Sequence, residues 1–194
     1  IRFSKNIDVE DFDVKMLRNV QVAPDGSKVV FEALGYIYIR DLPNGKPRRL
    51  TNQTSHFEFE PSFSRDGKQV VFAIWNDQTQ GNIRIVSLIN GEGQNLLNET
   101  GKYIEPSFSP DGNTVVYRKF KGSNITHPTW NFHSGIYHVP SNGGTPKLIT
   151  KHGHSPSFAN ENNRIYVQRD GEIPSLASVD LDGKNDKTLF TAKY

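Results

Sequence analysis

The stretch Pro61-Ser62-Phe63-Ser64-Arg65-Asp66-Gly67-Lys68-Gln69-Val70-Val71-Phe72 decides how the whole chain is read, because it recurs. Downstream stands Pro106-Ser107-Phe108-Ser109-Pro110-Asp111-Gly112, followed by Thr114-Val115-Val116-Tyr117; upstream, Val20-Gln21-Val22-Ala23-Pro24-Asp25-Gly26 leads into Lys28-Val29-Val30-Phe31. A fourth copy, Pro156-Ser157-Phe158-Ala159 running on to Arg164-Ile165-Tyr166-Val167, keeps the apolar segments and loses the Asp-Gly. Val22, Phe63, Phe108 and Phe158 hold one place in the four copies, at spacings of 41, 45 and 50 residues.

Each copy reads as four short strands. The Pro-Ser-Phe-Ser run is a short innermost strand, and the following Gly supplies the positive φ that a tight hairpin needs. The next run, Val70-Val71-Phe72-Ala73-Ile74, is apolar throughout, as expected of a strand covered on both faces. A third run alternates, as in Tyr36-Ile37-Tyr38-Ile39 and Ile83-Arg84-Ile85-Val86. Asn44-Gly45, Asn90-Gly91, Asn142-Gly143-Gly144 and Asp182-Gly183 then turn the chain into an outer strand. A period of 40 to 50 residues with four strands per unit predicts an all-β fold of propeller blades. The expected boundaries are an N-terminal strand or linker over 1–19 and four blades over 20–60, 61–105, 106–155 and 156–194.

Composition sets limits on function. With 35% hydrophobic and 11% aromatic residues, the 194-residue chain is that of a folded domain. Its 23 Lys+Arg stand against 21 Asp+Glu, a net charge of +2, which argues against nucleic acid as a partner. No apolar run approaches the roughly 18 residues that span a bilayer, so membrane insertion is not expected. The absence of Cys removes disulfides, cysteine metal sites and thiol nucleophiles, and it fits a bacterial envelope protein, periplasmic or secreted. No Gly-x-Ser-x-Gly elbow, phosphate loop or dinucleotide fingerprint is present, so no catalytic residue and no cofactor is expected.

The pattern Pro-x-Phe-Ser-x-Asp-Gly-x-x-Val-Val-Phe, then Ile-Tyr, Gly-Gly and Arg/Lys-x-Leu/Ile-Thr, resembles the TolB-type propeller repeat of TolB, tricorn protease and prolyl-oligopeptidase-type peptidases, and covers residues 20 to 191. The opening, from Val20 to Ile39, most resembles the propeller that precedes an amidohydrolase domain. The resemblance implies six or seven blades where this sequence supplies four. It also implies that any hydrolytic chemistry lies on a segment outside this chain. The expected partners are then a protein or peptide, an attached catalytic domain, or an oligomer covering open blade edges.

Chemistry is sought on the two faces of such an array. Asp-Gly and Asn-Gly turns fall on one face, where Asp25, Asp66 and Asp111 read as turn residues. The connections on the other face vary in length and carry Glu60, Glu105, His133, His152, His154 and Trp130, the expected ligand or partner residues, with His56, Glu58 and the insertion from Lys119 to Ser134. Glu60 and Glu105 occupy one repeat position, before the Pro, which Asn19 and Ser155 take in the outer copies. They read either as an acid/base pair or as caps for backbone donors at the channel. His152-Gly153-His154 with Glu105 is a conceivable metal set, but no ligand spacing supports it and no metal is expected. Trp130 and Phe132 read either as a peptide contact or as packing onto their own blade, and Trp75 as core or channel packing.

Overall fold

The computed structural model describes residues 14–120 and 133–192. Trp130 and most of the insertion lie outside the described residues, as does most of the expected N-terminal strand or linker. Among the described residues there is no helix, and the strands form four separate four-stranded antiparallel meanders. Blade 1 holds β1 (Arg18–Val22), β2 (Lys28–Ala33), β3 (Tyr36–Asp41) and β4 (Arg48–Arg49). Blade 2 holds β5 (Phe57–Phe63), β6 (Gln69–Trp75), β7 (Asn82–Ser87) and β8 (Gly93–Asn95). Blade 3 holds β9 (Tyr103–Phe108), β10 (Thr114–Lys119), β11 (Gly135–Pro140) and β12 (Lys147–Thr150). Blade 4 holds β13 (His154–Phe158), β14 (Arg164–Arg169), β15 (Ser175–Asp180) and β16 (Lys187–Thr191). The innermost strands β1, β5, β9 and β13 contact one another in turn, which sets the blades side by side in chain order.

Val22, Phe63, Phe108 and Phe158 pair with Val29, Val70, Val115 and Ile165, one register in all four blades. The inner strands β5 and β9 start ahead of the prolines that the sequence reading took as blade boundaries. They pass the proline through a β-bulge, which leaves the residue without an N–H out of the ladder. The bulge falls at Asn19, Glu60, Glu105 and Ser155, whose φ angles of 47, 53, 57 and 51° lie in the left-handed region.

Between blades the cores are apolar. Strand β6 shows why its sequence is apolar throughout: Val70, Phe72 and Ile74 pack toward blade 1 with Val30, Ile37 and Ile39, and Val71 and Ala73 pack toward blade 3 with Val115 and Tyr117. Val116, Ile165, Val167, Ala177 and Val179 fill the gap between blades 3 and 4. The junction of blades 1 and 2 also holds Glu58, fully buried, which accepts from Ile37 N–H (3.0 Å), the Gln53 amide (2.8 Å) and the Thr51 hydroxyl.

The Asp-Gly hairpins are longer than a two-residue turn. Ser64 N–H donates to Gln69 O and Gly67 N–H to Ser64 O, both at 2.9 Å, so four residues lie in the loop and only Gly67 takes a positive φ, 69°. Asp66 Oδ1 accepts from the Ser64 hydroxyl at 2.6 Å and from Lys68 N–H at 3.1 Å, and Asp111 repeats this with Ser109 and Asn113. These bonds favour the carboxylate and hold both groups below the usual aspartate range. Turn chemistry accounts for the shared aspartates.

Candidate functional site

At the left-handed bulge the backbone N–H of each inner strand turns away from its own ladder and needs an acceptor. The preceding blade supplies it. Glu105 N–H donates to Glu60 Oε2, Ser155 N–H donates to Glu105 Oε2 at 2.7 Å, and Glu60 N–H makes a longer bond, 3.4 Å, to Glu32 Oε2. Blade 1 has moved its acid from the bulge to the neighbouring strand β2, where Asn19 Nδ2 donates to Glu32 at 2.9 Å. A carboxylate-to-amide ladder thus runs around the channel mouth and links the blades in one direction. Glu60 and Glu105 cap backbone donors here, and each still has capacity to accept a further bond.

The environment of Glu60 differs from that of the other rungs. Burial, chiefly, raises its pKa above the ordinary glutamate value, and the neighbouring Glu105 and Glu32 carboxylates add to this, while the Glu105 N–H and Arg118 act the other way. Beside it opens a groove of about 830 Å³ that reaches from blade 1 across blade 2 to the edge of blade 3. Glu32, Glu60, Ala73, Trp75, Tyr103 and Phe120 are among the residues that line it. Its wall is held by a close approach of the β6–β7 and β8–β9 connections, where Gly81 and Gly101 exchange backbone hydrogen bonds at 3.0 and 3.1 Å. A Cβ on Gly81 would stand 2.5 Å from Gly101 O, so the approach requires glycine. Trp75 donates from Nε1 to Asp77 at 2.7 Å, which leaves its ring as wall.

A second cavity of about 530 Å³ lies between blades 3 and 4, lined by Arg118, Lys151, His152, Arg169 and Asp170 among others. There Arg118 pairs with Glu105 at 3.4 Å. His154 contacts Asp170 through Nε2 at 3.2 Å and Ser155 through Nδ1 at 3.1 Å.

The residues singled out in the sequence therefore divide. Glu60 and His133 line the larger groove and His152 the smaller cavity, while Glu105 and His154 sit at the blade 3 and 4 junction. Among the described residues no three His, Asp or Glu gather at metal-binding distance, so His152, His154 and Glu105 do not converge. Glu58 belongs to the buried blade junction and not to the face. His56 is half-buried, and burial lowers its pKa. Glu32, Ala73, Tyr103 and Phe120 carry no mark in the sequence that points to a site, and Trp75, expected to pack in the core or channel, lines the groove. Aligning the second strands as well as the first would have exposed the column Glu32, Ala73, Arg118, Gln168, whose members pair in register with Arg18, Phe59, Ile104 and His154.

Four-stranded antiparallel meanders set side by side, with their innermost strands adjacent, are blades of a β-propeller architecture. Residues 15–194 match the family model described as TolB beta propeller domain, and the chain belongs to that family. Among solved structures, a TolB from Agrobacterium tumefaciens matches with a TM-score of 0.70 at 20% identity, over 92% of this chain and 66% of the other. TolB from Acinetobacter baumannii gives 0.69 at 18%, over 92% and 44%. An oligogalacturonate lyase from Vibrio parahaemolyticus gives 0.69 at 11%, over 90% and 53%. The chain thus spans less than two thirds of each of these proteins.

Proposed function

We propose that this chain is a recognition module that binds a peptide segment in the groove beside Glu60, the segment belonging to a separate protein or to an attached catalytic domain whose access it gates. The observation behind this reading is the groove itself. Its volume falls in the range of ligand sites, roughly 300 to 1,000 Å³, and it combines aromatic walls with two carboxylates on a rigid sheet framework. It opens on the face whose connections vary, where individual recognition can be built without disturbing the repeat. A catalytic reading, as hydrolase or lyase, has less support. Glu60 and Glu105 each hold a backbone N–H of the next blade, an arrangement that positions strands and does not relay protons. The family and the lack of Cys favour a periplasmic or secreted setting.

The test is to select peptides against the folded chain from a displayed library and map the tightest by hydrogen-exchange protection. Protection should centre on 73–75 and 100–104, and Trp75→Ala should weaken binding by about 1 kcal/mol or more, as for an aromatic anchor. A footprint confined to the turns at Asp25, Asp66 and Asp111 would overturn the assignment.

A further inference from the structure

Resting on the groove reading above, we infer that the bound peptide presents a guanidinium or ammonium side chain to Glu60, from the groove that Glu60 lines. The chain contains its own template for this contact. Blade 3 carries Glu105 at the bulge and Arg118 on the neighbouring strand, joined as an ion pair at 3.4 Å. Blade 1 fills the same two positions with Asn19 and Glu32, hydrogen-bonded at 2.9 Å. Blade 2 has Glu60 and Ala73. The registers coincide, Phe59 facing Ala73 as Ile104 faces Arg118 and Arg18 faces Glu32. Ala73 and Arg118 also point alike, each toward the following blade, since Ala73 alternates with Val71 facing blade 3, and Arg118 with Val116 facing blade 4.

Blade 2 therefore keeps the acid of the pair and lacks the base. Among the described residues Glu60 enters no ion pair, and its Oε1 receives no hydrogen bond. Of the nearby cations, Arg118 pairs with Glu105, Lys119 pairs with Glu99 at 3.8 Å and Lys102 lies over the Phe120 ring at 4.7 Å, while Arg18 also lines the groove, opposite Glu32 in register. Ala73 is itself buried against blade 3, and the contact is made from the groove that Glu60 lines. Aromatic walls at Trp75, Tyr103 and Phe120 suit the aliphatic stem of a long cationic side chain and an apolar neighbour beside it. A planar guanidinium can reach a carboxylate as Arg118 does.

The experiment titrates the full chain with three capped peptides, acetyl-Leu-Arg-Leu-amide and its citrulline and glutamate counterparts, following chemical shifts. Citrulline is nearly isosteric with arginine and uncharged. The arginine peptide should bind at least about tenfold more tightly than the citrulline peptide, the margin expected of a charge-assisted contact. Glu60→Gln should remove that margin, so that the variant binds the arginine and citrulline peptides equally. The glutamine keeps a carbonyl acceptor for Glu105 N–H, so its melting temperature should match the parent's. Equal affinity for arginine and citrulline, preference for glutamate, or undiminished arginine selectivity in Glu60→Gln would each overturn the inference and leave the groove reading standing. Failure of all three peptides to shift groove resonances overturns both.

Discussion

The junction of blades 2 and 3 and that of blades 3 and 4 are built to one plan and end in different surfaces. In both, a glutamate in the left-handed conformation hands a carboxylate to the N–H of the next inner strand. In both, apolar side chains from the two second strands close the gap behind it. They part at one column, where Arg118 pairs with Glu105 while the buried Ala73 offers Glu60 no counter-ion. The backbone ladder is thus independent of what the side chain one strand over does.

If polar junction chemistry holds the blades together, the largest loss should come where it is driest. Glu58→Ala strands three donors in the closed junction of blades 1 and 2, and chemical denaturation should register about 3 kcal/mol or more. A loss under about 1 kcal/mol would mean that apolar packing alone seals that junction. On the opposite face, Gly67→Val should cost about 1 to 3 kcal/mol, because a β-branched residue is strained at positive φ. An unchanged melting temperature would show that the turn has relaxed.

Smaller effects separate the two glutamates directly. A double-mutant cycle of Glu105→Ala and Arg118→Ala should give a coupling of about 0.5 to 1 kcal/mol, the value for a part-exposed ion pair. The same cycle with Glu60 in place of Glu105 should be additive to within about 0.5 kcal/mol. Comparable coupling in both cycles would place Arg118 between the blades and weaken the contrast. The pH dependence should differ in sign between the faces. Glu60 has a raised pKa, so the folded state takes up its proton first and its contribution to stability falls as pH rises through that pKa. Asp66 is lowered, so its contribution is present above the ordinary aspartate pKa and is lost as pH falls toward the lower folded value. Lowering the pH from about 7 to about 4 should therefore favour the parent chain over Glu60→Gln, and lowering it further, to about 2, should disfavour it relative to Asp66→Asn. Unfolding curves at several pH values check both signs.

The fold was legible in the sequence because it is written four times: the inner-strand Phe positions and the turn glycines recur at the same register. Strand starts were less legible. Pro61 and Pro106 look like boundaries, and only the bulge before each explains how a strand runs through them. The site was half legible. Glu60 and Glu105 stood out as a shared position on the variable face, but their partners are backbone amides on the next blade, and an amide leaves no mark in a sequence. Ala73 escaped notice for a related reason. Its significance is a side chain that is absent, visible only beside Glu32 and Arg118 in the aligned column.

The ladder has one more property. Donor and acceptor sit on the same bulge residue, so a blade such as the third carries both halves of the joint, an N–H for its predecessor and a carboxylate for its successor. A contact of this kind is heterologous, and heterologous contacts chain head to tail. A gene segment encoding a blade like the second or third, duplicated or deleted in frame, leaves every remaining N–H facing a carboxylate. Rings of different circumference can thus arise from one tandem unit without a new joint having to evolve.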